Sequence, residues 1–148
     1  MAFTEQLHSE IEIDAPPEQV WETLTEFEAF PSWNPFVASV EGAPRVGAKL
    51  KVRLQPPGGR GITMHPTVTA SEPGRVLAWL GRLGFPGVFD GAHRFELEPL
   101  GDGRTRFVQS EHFSGVLVPF FRRSLRTNTR AGFEAMNQAL AERVRASR

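Results

Sequence analysis

Three polar side chains, His93, Gln109 and Glu111, share their parity with large apolar residues in two neighbouring stretches of this 148-residue chain. In the first, His93, Phe95 and Leu97 alternate with Arg94, Glu96 and Glu98; in the second, Thr105, Phe107, Gln109, Glu111 and Phe113 fall on one face. Period two marks a strand with one buried side, so an imidazole, an amide and a carboxylate are expected to point inward together. If the Gly101-Asp102-Gly103 turn pairs Leu97 with Thr105, His93 stands opposite Gln109 and diagonal to Glu111, within reach on one sheet face. Such a group has three uses. It can move protons as general acid and base, as an aldol cyclisation of a bound ketone requires. It can anchor a ligand hydroxyl or carboxylate. It can also satisfy itself inside the core, because an unpaired buried polar group costs about 1–3 kcal/mol.

Other chemistries lack their parts. His8, His65, His93 and His112 show no metal-ligand spacing, and the chain has no cysteine, so neither a metal site nor disulfide or thiol chemistry is expected. No cofactor is expected either: Pro57-Gly58-Gly59-Arg60-Gly61 lacks the Lys-Ser/Thr ending of a phosphate loop and opens no helix. No Gly-x-Ser-x-Gly nucleophile elbow is present. Seventeen Lys plus Arg balance seventeen Asp plus Glu, which gives no general attraction to nucleic acid or anionic membrane. The charges are nonetheless segregated. Nine acidic residues precede the first cation, Arg45, while seven Arg and two Glu follow Pro119. The last helix therefore carries a basic face, either simply solvated or open to an anion or partner. Met1 to Glu10 has no basic stretch leading into an apolar run, and no segment approaches the ~20 apolar residues that span a bilayer. A soluble, cytoplasmic protein without membrane insertion is expected, with monomer and dimer both open.

The elements that must position the three polar groups are readable from period and punctuation. Phe3, Leu7, Ile11 and Ile13 share one parity with Glu5 and Ser9, as in a half-buried first strand. Asp14-Ala15-Pro16-Pro17-Glu18 starts a helix, since proline fits the first turn and Glu18 suits its positive end. Phe30-Pro31-Ser32-Trp33-Asn34-Pro35 ends it or begins a short second helix. Leu50, Val52 and Leu54 form one alternating run, and Ile62, Met64, Val68 and Ala70 another; Val76 to Leu83 is apolar on both faces. After Pro119 the period becomes helical, with Phe121, Leu125, Phe133, Met136, Leu140 and Val144 on one side. Gly132 costs that helix about 1 kcal/mol relative to Ala, which suggests space left for a neighbouring backbone or a ligand. The interior should be greasy, because the chain has 12 Phe and 3 Trp but no Tyr. With no repeat or linker, residues 1–148 read as a single α+β domain: six or seven antiparallel strands bedding a long C-terminal helix.

Ala15-Pro16-Pro17-Glu18-Gln19-Val20-Trp21, Trp33-Asn34-Pro35-Phe36, Leu77-Ala78-Trp79, Gly91 to Pro99, Thr105-Arg106-Phe107 and Glu111-His112-Phe113-Ser114-Gly115 occur in an order that resembles the START-like (SRPBCC) superfamily. Its polyketide cyclase/dehydrase and lipid-transport branch is the nearest match. The resemblance covers nearly the whole chain and implies a helix-grip fold, a curved sheet wrapped around the last helix, with a cavity for a lipid, polyketide or aromatic compound. It does not imply one reaction, since the superfamily includes carriers, cyclases and co-chaperone activators. In that fold the cavity is expected to be lined by Trp33, Phe36, Met64, Trp79, Phe89, His93, Phe95, Phe107, Gln109, Glu111, Phe113, Phe121, Leu125, Phe133 and Met136. Pro56 to Gly61 and Gly84 to Gly91 read as loops, and the two Phe of the second either gate the cavity mouth or pack in a simple turn. Three functions follow: binding or transport of a small hydrophobic molecule; a metal-free cyclase/dehydratase using His93 and Glu111; and a co-chaperone-like interaction module working through the basic helix face.

Overall fold

The computed structural model describes residues 3–147. Strand β1 (Thr4–Ile13) leads into helix α1 (Pro17–Thr25), a 3-10 turn at Phe27–Ala29 and the short helix α2 (Phe30–Trp33). Strands β2 (Val37–Glu41), β3 (Lys51–Leu54), β4 (Ile62–Met64), β5 (Thr67–Glu72), β6 (Val76–Arg82), β7 (Asp90–Gly101) and β8 (Arg104–Ser114) follow. The chain ends on one continuous helix built from α3 (Val118–Ser124), a π turn (Leu125–Thr129) and α4 (Arg130–Ala146). This is the α+β, helix-grip architecture expected, with eight strands among the described residues in place of six or seven. Two departures raise the number: Val37–Glu41 is a strand of its own, and Pro66, which has no N–H for a ladder, splits the run from Ile62 to Ala70 into β4 and β5.

Five strands form one antiparallel sheet in the order β1-β8-β7-β6-β5, and β2-β3-β4 form a second. Residues 47–50 join them: Leu50 N–H donates to Pro66 O, Val68 N–H to Ala48 O and Gly47 N–H to Val68 O. The start of β2 is set by Asn34, whose Oδ1 accepts from the backbone N–H of Phe36 at 3.0 Å and of Val37 at 2.9 Å. The side chain thus turns the chain sharply from α2 into the sheet and aims Phe36 at the core.

Helix α4 lies against β1, β8, α1 and α2. Its stripe of Phe133, Met136, Leu140 and Val144 is buried, facing Leu7, Leu77, Phe95 and Phe107 in the same core. Each such side chain contributes roughly 1.5–3 kcal/mol by leaving water. The space Gly132 leaves is taken by neither backbone nor ligand. The ring of Phe36 sits on it, with Cε1 and Cγ at 2.6 and 2.9 Å from where a Cβ would lie and Cδ1 closer still. Phe121 departs from the expected stripe and is 43% exposed; Phe3 and Ile62, expected to face inward, are also largely exposed.

Candidate functional site

The β7–β8 hairpin brings the polar group together in a register two residues away from the one expected. Leu97 pairs with Phe107, so His93 stands directly opposite Glu111, and Gln109, opposite Phe95, is the diagonal neighbour. The cause lies at the turn. Asp102 (φ 54°) and Gly103 (φ 72°) both adopt left-handed geometry and form a two-residue loop closed by Gly101 and Arg104. An irregularity between Pro99 and Gly101 then inserts an extra residue into β7.

His93 contacts both of the other side chains. His93 Nδ1 lies 2.9 Å from Glu111 Oε1, and His93 Nε2 lies 2.9 Å from Gln109 Oε1. The histidine side chain is 4% exposed and the glutamate 11%. Gln109 Nε2 donates to Asn137 Oδ1 at 2.8 Å and to the Phe133 carbonyl at 3.4 Å, tying the hairpin to α4. Asn137 Nδ2 donates in turn to Ser9 Oγ at 2.9 Å. A polar chain therefore crosses the core from β1 through the last helix to β7 and β8. Aromatic rings surround it: the His93 ring lies 4.6 Å from Phe95, 5.1 Å from Phe133 and 5.6 Å from Trp79, centroid to centroid.

Beyond Glu111 the inner face thins. Gly81 of β6 pairs with Gly91 of β7, so two adjacent positions carry no side chain. A Cβ on Gly91 would collide with Glu111 Oε2, and a Cβ on Gly81 would meet Met64 Cε at 2.5 Å. The carboxylate and the thioether thus lean over the glycine pair. Phe113 lies beside them, ringed by Phe89, which also packs edge-on against Phe121 at 5.2 Å. This end is closed by contacts between the loops flanking β7 and β8: Val116 N–H donates to Gly87 O and Leu117 N–H to Val88 O. Phe85 on the same loop is exposed, as is Phe120 at the start of α3. On the helix side, Gly58 and Gly59 approach Asn128 of the π turn.

The expected lining residues divide accordingly. Met64, Phe89, Glu111, Phe113 and Phe121 gather at the glycine end, and Trp79, His93, Phe95, Gln109 and Phe133 surround the polar chain. Phe107 stacks on Phe95 at 5.9 Å, and Met136 and Leu125 are buried in the common core. Trp33 packs edge-on against Phe30, with its Nε1 buried and unpartnered. Two surface clefts, about 610 and 560 Å³, lie elsewhere, one between the 3-10 turn and β2, the other between α1 and the β5–β6 turn. Neither is lined by any of the expected residues. Among the described residues no group of three or more His, Cys, Asp or Glu could hold a metal ion, and no helix is long and apolar enough to cross a membrane.

Ser9, Asn137 and the two glycines do not stand out in the sequence, although each leaves a trace there. Ser9 has the inward parity of β1, and Asn137 lies four residues after Phe133, inside the apolar stripe. A small amide among Phe, Met and Leu is the kind of buried polar residue that demands partners.

The family described as polyketide cyclase / dehydrase and lipid transport matches residues 4–146. The chain belongs to this family. Solved structures of similar fold bear out the helix-grip architecture of this polyketide cyclase/dehydrase family member. The Zhui aromatase/cyclase from Streptomyces sp. R1128 superposes with a TM-score of 0.78 at 19% identity, covering 98% of this chain and 96% of that one. TTHA0849 from Thermus thermophilus gives 0.76 at 19% identity, covering 97% and 99%. Norcoclaurine synthase from Thalictrum flavum, in complex with dopamine and hydroxybenzaldehyde, gives 0.73 at 15% identity, covering 98% and 88%. Among curated proteins, none matches the chain.

Proposed function

We propose that this family member binds a small hydrophobic, oxygen-bearing molecule at the glycine end of the sheet, with the His93–Glu111 pair as its polar anchor. The observation that carries the reading is the position of Glu111: one oxygen is held by His93 at 2.9 Å, while the other is turned over Gly91, where no side chain stands in its way. The surrounding Phe89, Phe113, Phe121 and Met64 supply apolar contact. The family's description and the aromatic ligands of the norcoclaurine synthase complex agree with this ligand class. Titration with a fluorescent apolar probe, together with native mass spectrometry of the purified protein, tests the proposal. Saturable binding weakened by Gly91→Val is the expected result; a protein that takes up no apolar probe refutes it.

A cyclase or dehydratase activity on such a ligand is the second reading, favoured by the His–carboxylate contact, the arrangement a proton shuttle requires. Separate His93→Gln and Glu111→Gln variants discriminate the two: a carrier loses affinity for the ligand the pair anchors, whereas an enzyme loses turnover by far more than it loses affinity. The co-chaperone reading has less in its favour. Arg122 and Arg126 of the basic face turn back onto Glu5, each with a 3.0 Å contact, and Arg130 donates to His8 O.

A further inference from the structure

The polar chain through the core has a direction, and backbone carbonyls set it. The Phe133 carbonyl can only accept, so the Gln109 atom facing it is the amide nitrogen. The backbone carbonyl of Gln109 likewise accepts the Ser9 hydroxyl at 3.4 Å, which leaves the Ser9 oxygen free to accept from Asn137 Nδ2. Asn137 Oδ1 therefore faces Gln109 Nε2, and Gln109 Oε1 faces His93 Nε2. Turning the glutamine round would set its oxygen against both the Phe133 carbonyl and Asn137 Oδ1. An acceptor fixed opposite Nε2 requires a proton on Nε2.

With Nε2 protonated, only the link between Nδ1 and Glu111 Oε1 remains variable. A glutamate carboxylate there needs an N–H at Nδ1, hence an imidazolium; a neutral imidazole needs a carboxylic acid to donate to it. In both states the pair carries one proton in that link and no net charge. This inverts the common arrangement in which a carboxylate orients a neutral histidine through Nδ1–H and leaves Nε2 free to react. Here Nε2 is spent on the relay, and the group left for a ligand is Glu111 Oε2, over Gly91.

We infer that Ser9, Asn137 and Gln109 are positioning residues that confine a single proton to the His93–Glu111 pair, and that Glu111 Oε2 accepts a hydrogen bond from the hydroxyl of a neutral ligand, such as a phenol, in preference to meeting a carboxylate. The ligand half rests on the binding function proposed above. In both states the proton lies between Nδ1 and Oε1, so Oε2 only accepts and suits a hydroxyl, whereas a ligand carboxylate would bring an uncompensated negative charge against it.

Two measurements on the full chain test this. Long-range proton–nitrogen correlation NMR with nitrogen-15 histidine is expected to show His93 with Nε2 protonated in the wild type. Gln109→Leu, which removes the acceptor opposite Nε2, should release that preference. A wild-type His93 in the Nδ1–H tautomer overturns the inference without touching the binding proposal. Fluorescence titration with 2-naphthol and 2-naphthoate then reads the ligand preference, expected to be tenfold or more for the naphthol and lost in Glu111→Gln. Equal or tighter binding of naphthoate overturns the preference. Failure of both probes to bind overturns it together with the binding function on which it rests.

Discussion

Replacing Gly132 by Ala sets two effects of opposite sign against each other. Helix propensity alone favours alanine by about 1 kcal/mol in a helix interior. Against that, three ring atoms of Phe36 lie closer than 3.0 Å to the new Cβ, and the ring has nowhere easy to go. It is 1% exposed, packs on Phe133 at 5.5 Å, and hangs from a backbone pinned by the Asn34 hydrogen bonds. Overpacking of this kind costs typically about 1–3 kcal/mol, so the net change is a loss of about 1 kcal/mol, or a Tm lowered by roughly 2–4 °C for a chain of this size. Urea unfolding and thermal melts of Gly132→Ala measure it directly. In a Phe36→Leu background the obstruction is smaller, and the same substitution should become stabilising by up to about 1 kcal/mol. A Gly132→Ala protein more stable than wild type, with Phe36 intact, would refute the account of why glycine stands there.

Three further outcomes are expected. Gly91→Ala should displace the Glu111 carboxylate and weaken binding of a neutral phenolic probe several-fold while leaving the fold intact by circular dichroism. Asn34→Ala should cost about 2 kcal/mol in urea unfolding, because two N–H groups at the buried α2–β2 junction lose their acceptor. Glu5→Gln should flatten the acid limb of the stability profile. The hydrogen bond from Arg126, with Arg122 beside it, holds the Glu5 carboxyl below its ordinary value of 4.5. Its stabilisation is thus complete above that value and is lost as the pH falls through the lowered native one; unfolding midpoints from about pH 7 down to about pH 3 read the difference.

Most of the architecture was legible because period two and period 3.6 are imposed directly by burial. His93, Gln109 and Glu111 could be placed on one inner wall from parity alone. Their pairing could not, because register depends on whether the turn holds two residues or three and on a single bulge near Leu100, and parity is blind to a shift of two. The relay beyond Gln109 was out of reach for a different reason. It joins residues 128 positions apart, Ser9 and Asn137, and nothing local in either neighbourhood specifies that contact. The glycines at 81 and 91 carry no periodic signal of their own, and only their pairing across the sheet makes them one gap.

The π turn at Leu125–Thr129 bears on how relatives should be aligned. Its hydrogen bond from Arg130 N–H to Leu125 O spans five residues instead of four, so the helix houses one residue more than an unbroken α-helix of the same path. That residue is an insertion absorbed inside a helix. A relative with an uninterrupted helix should be aligned with a one-residue gap here, between Leu125 and Thr129, and not in the preceding loop. Otherwise the first half of the helix, which carries Phe121 and the arginines that meet Glu5, would be compared out of phase with its counterparts.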